Sequence, residues 1–294
     1  MRGVLGKTER MAGSRRFLRV SVGLVALAVI AAFSLVFVSR SLNPSLDDAM
    51  CPPRSRVTEN ILLVIDATDP WSPIRRTALA NELVVFSREV PRFARLSVWT
   101  VGSPYLDSIR AGGPPVPRLP DLPFAGTPIL EVCNPGSAEQ VSESLPPWIS
   151  WLVTNPGLLR DRWEREFESV VGLALEDIGR TDAQDRSPIM ETLREAALSV
   201  RDSAPFRVVI ISDLYQNSER FSVYGDQGFS REDPDVLGDV AELGTSALSE
   251  ARIHLLLLTP AGGEFIPRNE LLSFWEQYFR AQGAVVESVR RIEQ

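Results

Sequence analysis

Lysine, histidine and cysteine are almost missing from this chain of 294 residues. Lys7 is the one lysine, His254 the one histidine, and Cys51 and Cys133 the two cysteines, although Lys and Arg together number 31. A nucleotide-binding P-loop needs a lysine on the phosphates behind a Gly-rich turn, and no such motif occurs. Lysine Schiff-base chemistry has no residue in the body of the chain. An HExxH zinc site needs two histidines, and a four-ligand Cys/His zinc site has too few ligands. A Ser-His-Asp arrangement would have to use His254, which lies early in an apolar run and reads as structural. Any catalysis must therefore rest on carboxylates, hydroxyls and a hard metal ion. Composition is otherwise globular, 44% hydrophobic and 23% charged, which excludes disorder over the whole chain.

Charge is distributed unevenly. Val20 to Ser39 carries none, and about 20 apolar residues in a helix span a hydrocarbon core near 30 Å. The 19 residues before it hold 6 of the 31 basic and 1 of the 38 acidic residues, so the remainder has a net charge of −12. Basic residues stay on the cytoplasmic side of a span. The expected topology is thus a cytoplasmic basic tail at 1–19, a single transmembrane signal anchor at 20–39 in a bacterial inner (cytoplasmic) membrane, a linker at 40–56, and a periplasmic domain at 57–294. A cleaved signal peptide is the alternative, but its apolar region is shorter and ends on small residues, unlike Val38-Ser39-Arg40. The acidic body argues against nucleic acid as a partner. Outside the cytoplasm Cys51 and Cys133, both in turn-like sequence, can form one disulfide; two free thiols are the alternative.

The soluble part alternates strands and helices. Asn60–Asp66 and Phe206–Ser212 read as buried strands, each continuous apolar runs closing on Asp66 or followed by Asp213. Arg95–Val101, Arg252–Thr259 and Val285–Val289 read as further strands. Helices are expected from Pro73 to about Arg88 with Ser72 as N-cap, over 156–179, over 187–202 with Ser187 as N-cap, over 234–251 and over 267–282. Residues 102–147 are proline-rich, with little periodicity, and read as a long loop or excursion. The fold class that follows is α/β, a mostly parallel Rossmann-like sheet with helices on both faces. Ligands of such sheets bind beyond the carboxyl ends of the strands, where Asp66 and Asp213 stand.

Three segments meet that description: Asp66-Ala67-Thr68-Asp69-Pro70 after the first strand, Ser187-Pro188-Ile189 opening a helix, and Ser212-Asp213 after a later strand. Their order resembles a von Willebrand factor A-type domain over about residues 57–294, and the chain also resembles bacterial envelope proteins with one N-terminal span and such a domain. The resemblance implies a metal-ion-dependent adhesion site, D-x-S-x-S with a distant Thr and a distant Asp. Asp66 matches the first position, Thr68 the first hydroxyl, Ser187 the distant Thr and Asp213 the distant Asp. Pro70 falls where the second hydroxyl belongs and has no ligating side chain; Asp69 adds a carboxylate beside it. Magnesium, which takes oxygen ligands octahedrally and keeps several waters, is the cofactor implied. Trp71 directly follows the motif and is expected at the strand ends, exposed, as a partner-binding residue.

The resulting functional expectation is a non-enzymatic protein-binding or scaffold module, membrane-anchored, recruiting another envelope protein through the strand-end face, with or without Mg²⁺. The alternative is a divalent-metal-dependent hydrolase in which Asp66, Asp69 and Asp213 hold the ions that activate water; a third reading is a small-ligand sensor. Ligand geometry discriminates between the first two: an open site favours binding, a closed carboxylate cage favours hydrolysis.

Overall fold

The computed structural model of the chain describes residues 25–27, 29–30, 32–34, 45–101, 128–143, 155–178, 186–200, 205–218, 221–224, 247–260, 263 and 266–292. They belong to two units, Met1–Ser45 and Leu46–Gln294. In the first, the described residues are helical and expose Val25, Leu27, Val29, Ile30 and Phe33. No helix among the described residues is long and apolar enough to cross a membrane. Most of the span expected at 20–39 lies outside them.

The second unit is built on a six-stranded sheet. Its strands are β1 (Asn60–Asp66), β2 (Arg95–Val101), β3 (Pro128–Cys133), β4 (Phe206–Ser212), β5 (Arg252–Leu257) and β6 (Val285–Arg291), in the order β3-β2-β1-β4-β5-β6. All neighbours are parallel except β2 and β3. The helices are α1 (Pro73–Glu89), α2 (Ala138–Glu143), α3 (Pro156–Trp163), α4 (Ser169–Ile178), α5 (Ile189–Val200) and α6 (Arg268–Ala281). A π turn, Glu164–Glu168, joins α3 to α4.

The continuous apolar runs are explained by two cores. Leu62 and Val64 of β1 point into one core with α5 and α6, through Leu193, Phe274 and Trp275. Ile61, Leu63 and Ile65 point into the other with α1, α3 and α4, through Leu79, Leu83, Trp163 and Val171. A strand covered on both faces cannot alternate with polar residues. The helix ends follow local chemistry. Ser72 caps α1, its hydroxyl accepting from the Arg75 amide at 3.1 Å. Gly283, at φ 78°, ends α6 in a left-handed turn closed by Ala284 N–H on the Phe279 carbonyl at 2.9 Å; a side chain there would be strained.

Three expectations are corrected or fall outside. The proline-rich stretch is not all loop, because β3 and α2 lie within it; residues 102–127 and 144–147 are outside the described residues. β3 forms by antiparallel pairing with β2, and Pro128 is tolerated at its start because β3 is an edge strand. The helix expected at 234–251 is described only at 247–250, which form a turn. Ser187 does not cap α5, for reasons given below.

Cys51 and Cys133 form a disulfide across a sequence separation of 82. It fastens the segment before β1 to the end of β3, beside a main-chain bond from Cys133 to Ala49 at 2.9 Å. Closing a loop of that length in the unfolded chain is worth roughly 4 kcal/mol in the chain-entropy account. Reduction, or the paired replacement Cys51→Ser and Cys133→Ser, is therefore expected to lower the urea midpoint by an amount equivalent to roughly 2–4 kcal/mol. An unchanged midpoint on reduction would remove the bond from the account of stability.

Candidate functional site

The site lies at the carboxyl ends of β1 and β4. Asp66 ends β1 with 6% of its surface exposed. One carboxylate oxygen, Oδ1, accepts from the Thr68 amide at 3.2 Å and the Thr68 hydroxyl at 2.6 Å. The other, Oδ2, accepts from the Ser187 hydroxyl at 3.1 Å and the Ser212 hydroxyl at 2.7 Å. Four donors from three separate chain segments thus converge on one buried carboxylate. Burial raises the Asp66 pKa, and these hydrogen bonds oppose the rise, because they favour the charged form.

Ser187 is held at its post by paired main-chain bonds with Asn217, each 2.8 Å. Its hydroxyl donates to Asp66, and the Met190 amide goes to Gln216 instead, so Ser187 is not the helix cap that the local Ser-Pro pattern predicts. Gln216 does that work from across the loop. Its side-chain oxygen accepts from the Met190 amide at 2.9 Å, and its amide donates to Glu191 at 3.0 Å.

Asp213 follows β4 and accepts from the Tyr215 amide at 3.0 Å. Its pKa is pushed up to about 7, first by burial, then by the charges of Asp66 and Asp69; the Tyr215 amide and the Arg75 guanidinium oppose the rise. The turn that aims it is strained. Leu214 sits at φ 67°, a conformation that costs a branched side chain on the order of 1–3 kcal/mol. Leu214 is pinned there: its amide donates to the Ser212 hydroxyl at 2.8 Å and its carbonyl accepts from the Trp275 indole at 2.9 Å. Tyr224 stands at the rim, 53% exposed, its ring centroid 5.8 Å from that of Tyr215. Burial and the Asp213, Asp69 and Asp66 charges push its phenol up to about 12.

The structure brings together Asp66, Thr68 and Ser187 by direct hydrogen bonds, with Asp213 and half-buried Asp69 close enough to act through charge. Asp69 does not join the Asp66 hydrogen-bond cluster. Trp71 is a correction: it stands near the strand ends but is 7% exposed, packed into the core with Leu79 and Leu83 rather than offered to a partner. Motif order brings in Ser212 beside Asp213 but not its bond to Asp66. Two residues carry no signal in the sequence: Gln216, in polar loop sequence, and Arg75, buried in the first turn of α1 and bonded to the Thr259 carbonyl.

The donor set fits a hard cation. The Thr68 and Ser187 hydroxyl protons are committed to Asp66, which leaves oxygen lone pairs free to face an ion. Ser212 is not available, since its oxygen also accepts from Leu214. Pro70 supplies nothing. Burial raises the pKa of both the Asp66 and Asp213 carboxyls, and for Asp213 the neighbouring Asp66 charge adds to the rise. Among the described residues no three His, Cys, Asp or Glu side chains gather as a metal cage, so the carboxylate cage that a hydrolase reading requires is not formed by Asp66, Asp69 and Asp213.

No family model matches the chain, and no curated protein matches it. Solved structures do. The chain is similar to a pilus adhesin from Lactobacillus rhamnosus GG in an open conformation, at 11% identity and a TM-score of 0.43, over 85% of this chain and 29% of the adhesin. It is similar to an aerotolerance-related membrane protein from Bacteroides fragilis, at 8% identity and a TM-score of 0.34, over 80% of this chain and 92% of that one. It is also similar to a von Willebrand factor type A protein from Catenulispora acidiphila, at 12% identity and a TM-score of 0.36, over 79% of this chain and 39% of that one. The chain therefore spans less than a third of the adhesin's length. Its own sheet is mostly parallel and helix-covered on both faces.

Asp213 generates a pH prediction for the ion-free protein. Its folded pKa, about 7, lies above the ordinary unfolded value near 3.9. The folded state therefore binds the proton more tightly. Stability linked to this group is present below about pH 4 and is lost as pH rises through about 7. Asp213→Asn should flatten that decline and leave the variant more stable than the parent at pH 8, by roughly 2–4 kcal/mol. Urea midpoints of both proteins at pH 5 and pH 8 check this; an unchanged slope in the variant contradicts it.

Proposed function

We propose that this chain is a membrane-anchored, extracytoplasmic protein-binding or scaffold module whose strand-end site takes a partner carboxylate with the help of Mg²⁺. The observation that carries the reading is the Asp66 cluster. Hydroxyls from β1's following loop, from the approach to α5 and from the end of β4 are fixed around one carboxylate, with Asp213 beside it. Thr68, Ser187 and Asp213 would hold the ion, with Asp69 in reach of its waters. Bound there, Mg²⁺ would supply positive charge and an open coordination position for an anionic partner group. Thr68 and Ser187 contribute neutral oxygens, which leave the ion electrophilic. Asp66 orients both hydroxyls, and Tyr224 gives the partner an aromatic rim.

The absence of a nucleophile paired with a base among these site residues supports binding over catalysis. The uncharged run at 20–39 behind a basic tail supports the anchor and the outward orientation of the domain. The Cys51–Cys133 bond supports an oxidising compartment.

Calorimetry with the full-length protein tests the ion. Mg²⁺ and Mn²⁺ are expected to bind, with proton release at pH 6 because Asp213 must ionise, and binding is expected to vanish in Asp213→Ala. No heat at millimolar ion would contradict the cation and show that the loss of a hydroxyl at Pro70 has ended it.

A further inference from the structure

A cavity of about 670 Å³ lies between α1 and α4, apart from the Asp66 cluster. Volumes of roughly 300–1,000 Å³ are those of small-molecule sites. Its room comes from small residues. Ala80 is exposed on α1, and a side-chain carbon added at Gly172 of α4 would meet nothing within 4 Å. Its rim is apolar, with Val84 41% and Leu173 65% exposed. α1 thus carries apolar residues outward as well as toward the core, which burial inside this unit does not explain.

Most polar groups of the described wall are already satisfied. The hydroxyls of Thr77, Ser87 and Ser169 bond to carbonyls of their own helical segments, those of Pro73, Val84 and Glu164. Glu168 faces Arg88 at 3.9 Å. One cation remains. The half-buried Arg76 is in none of the ion pairs among the described residues. It stands in the first turn of α1, at one end of the cavity. The wall therefore asks for an anionic group at that end and for apolar length along the rest.

We propose that this cavity binds a free single-chain carboxylate amphiphile of the fatty-acid type. Its carboxylate pairs with Arg76, and its chain runs between Ala80 and Gly172 toward Val84 and Leu173. The site is independent of the strand-end cation, so either can fail without the other.

The test uses the full-length protein in lipid nanodiscs and a diazirine-bearing hexadecanoate. Saturable photo-adducts are expected on peptides covering 73–87 and 169–173, displaced by hexadecanoate and not by its uncharged methyl ester. Arg76→Ala should raise the half-saturating concentration about tenfold, the loss of one charge-assisted contact. Gly172→Leu should abolish the adducts by filling open space, with an unchanged circular dichroism spectrum. Ala80→Trp, on an exposed helix position, should do the same and serves if Gly172→Leu unfolds. Adducts that do not saturate, that persist in both filling variants, or that the methyl ester displaces as well as the acid would overturn the proposal.

Discussion

One buried carboxylate organises the functional end of this protein. Asp66 stands where β1 stops, and each of its oxygens accepts two hydrogen bonds. Removing such a charge from water is costly unless hydrogen bonds replace the lost hydration. The donors come from Thr68, Ser187 and Ser212, so three loops become mutually dependent through a single side chain. The consequences spread outward: Ser187 gives up its place as a cap, Gln216 takes that role, and the loop after β4 is tied to the start of α5.

The sheet makes this arrangement available. Central β1 is flanked by β2 and β4 in parallel, so β1 and β4 end at the same level and deliver Asp66, Ser212 and Asp213 together. The two cores lie on opposite faces of the sheet, and loop residues such as Trp71 and Leu214 pack into them. The opposite end of the strands has its own charge solution, in which the 4%-exposed Glu59 is shared by Arg207 and Arg252. At the carboxyl end Asp213 lies among the like charges of Asp66 and Asp69, opposed by Arg75, and the strained Leu214 keeps it in place. Paired charge at one end and like charges gathered at the other is the asymmetry that marks a candidate functional site.

The sequence made part of this legible. β1 and β4 were readable because an apolar run closing on Asp is a strong pattern, and α1 because Ser72-Pro73 is both cap and first turn. β3 was not, since PILEVC is short and embedded among prolines, and its strand character comes from pairing with β2. Asp66, Thr68, Ser187 and Asp213 could be named from motif order, yet their roles could not. Whether Ser187 caps a helix or donates to a carboxylate 121 positions earlier depends on tertiary competition that no local pattern encodes. Ser212 and Gln216 act only because they are buried against those partners. Trp71 misled for the same reason: directly after the motif it looked exposed, and packing decided otherwise.

The most direct measurement is a double-mutant cycle between Asp66→Asn and Ser212→Ala, read as urea unfolding free energies of the ion-free protein at pH 8. If one carboxylate holds the segments together, the two losses are coupled, and the double variant should be less destabilised than the sum of the singles by about 1 kcal/mol or more. Additive losses, within a few tenths of a kcal/mol, would contradict the account and reduce the Asp66 cluster to a set of independent loop contacts.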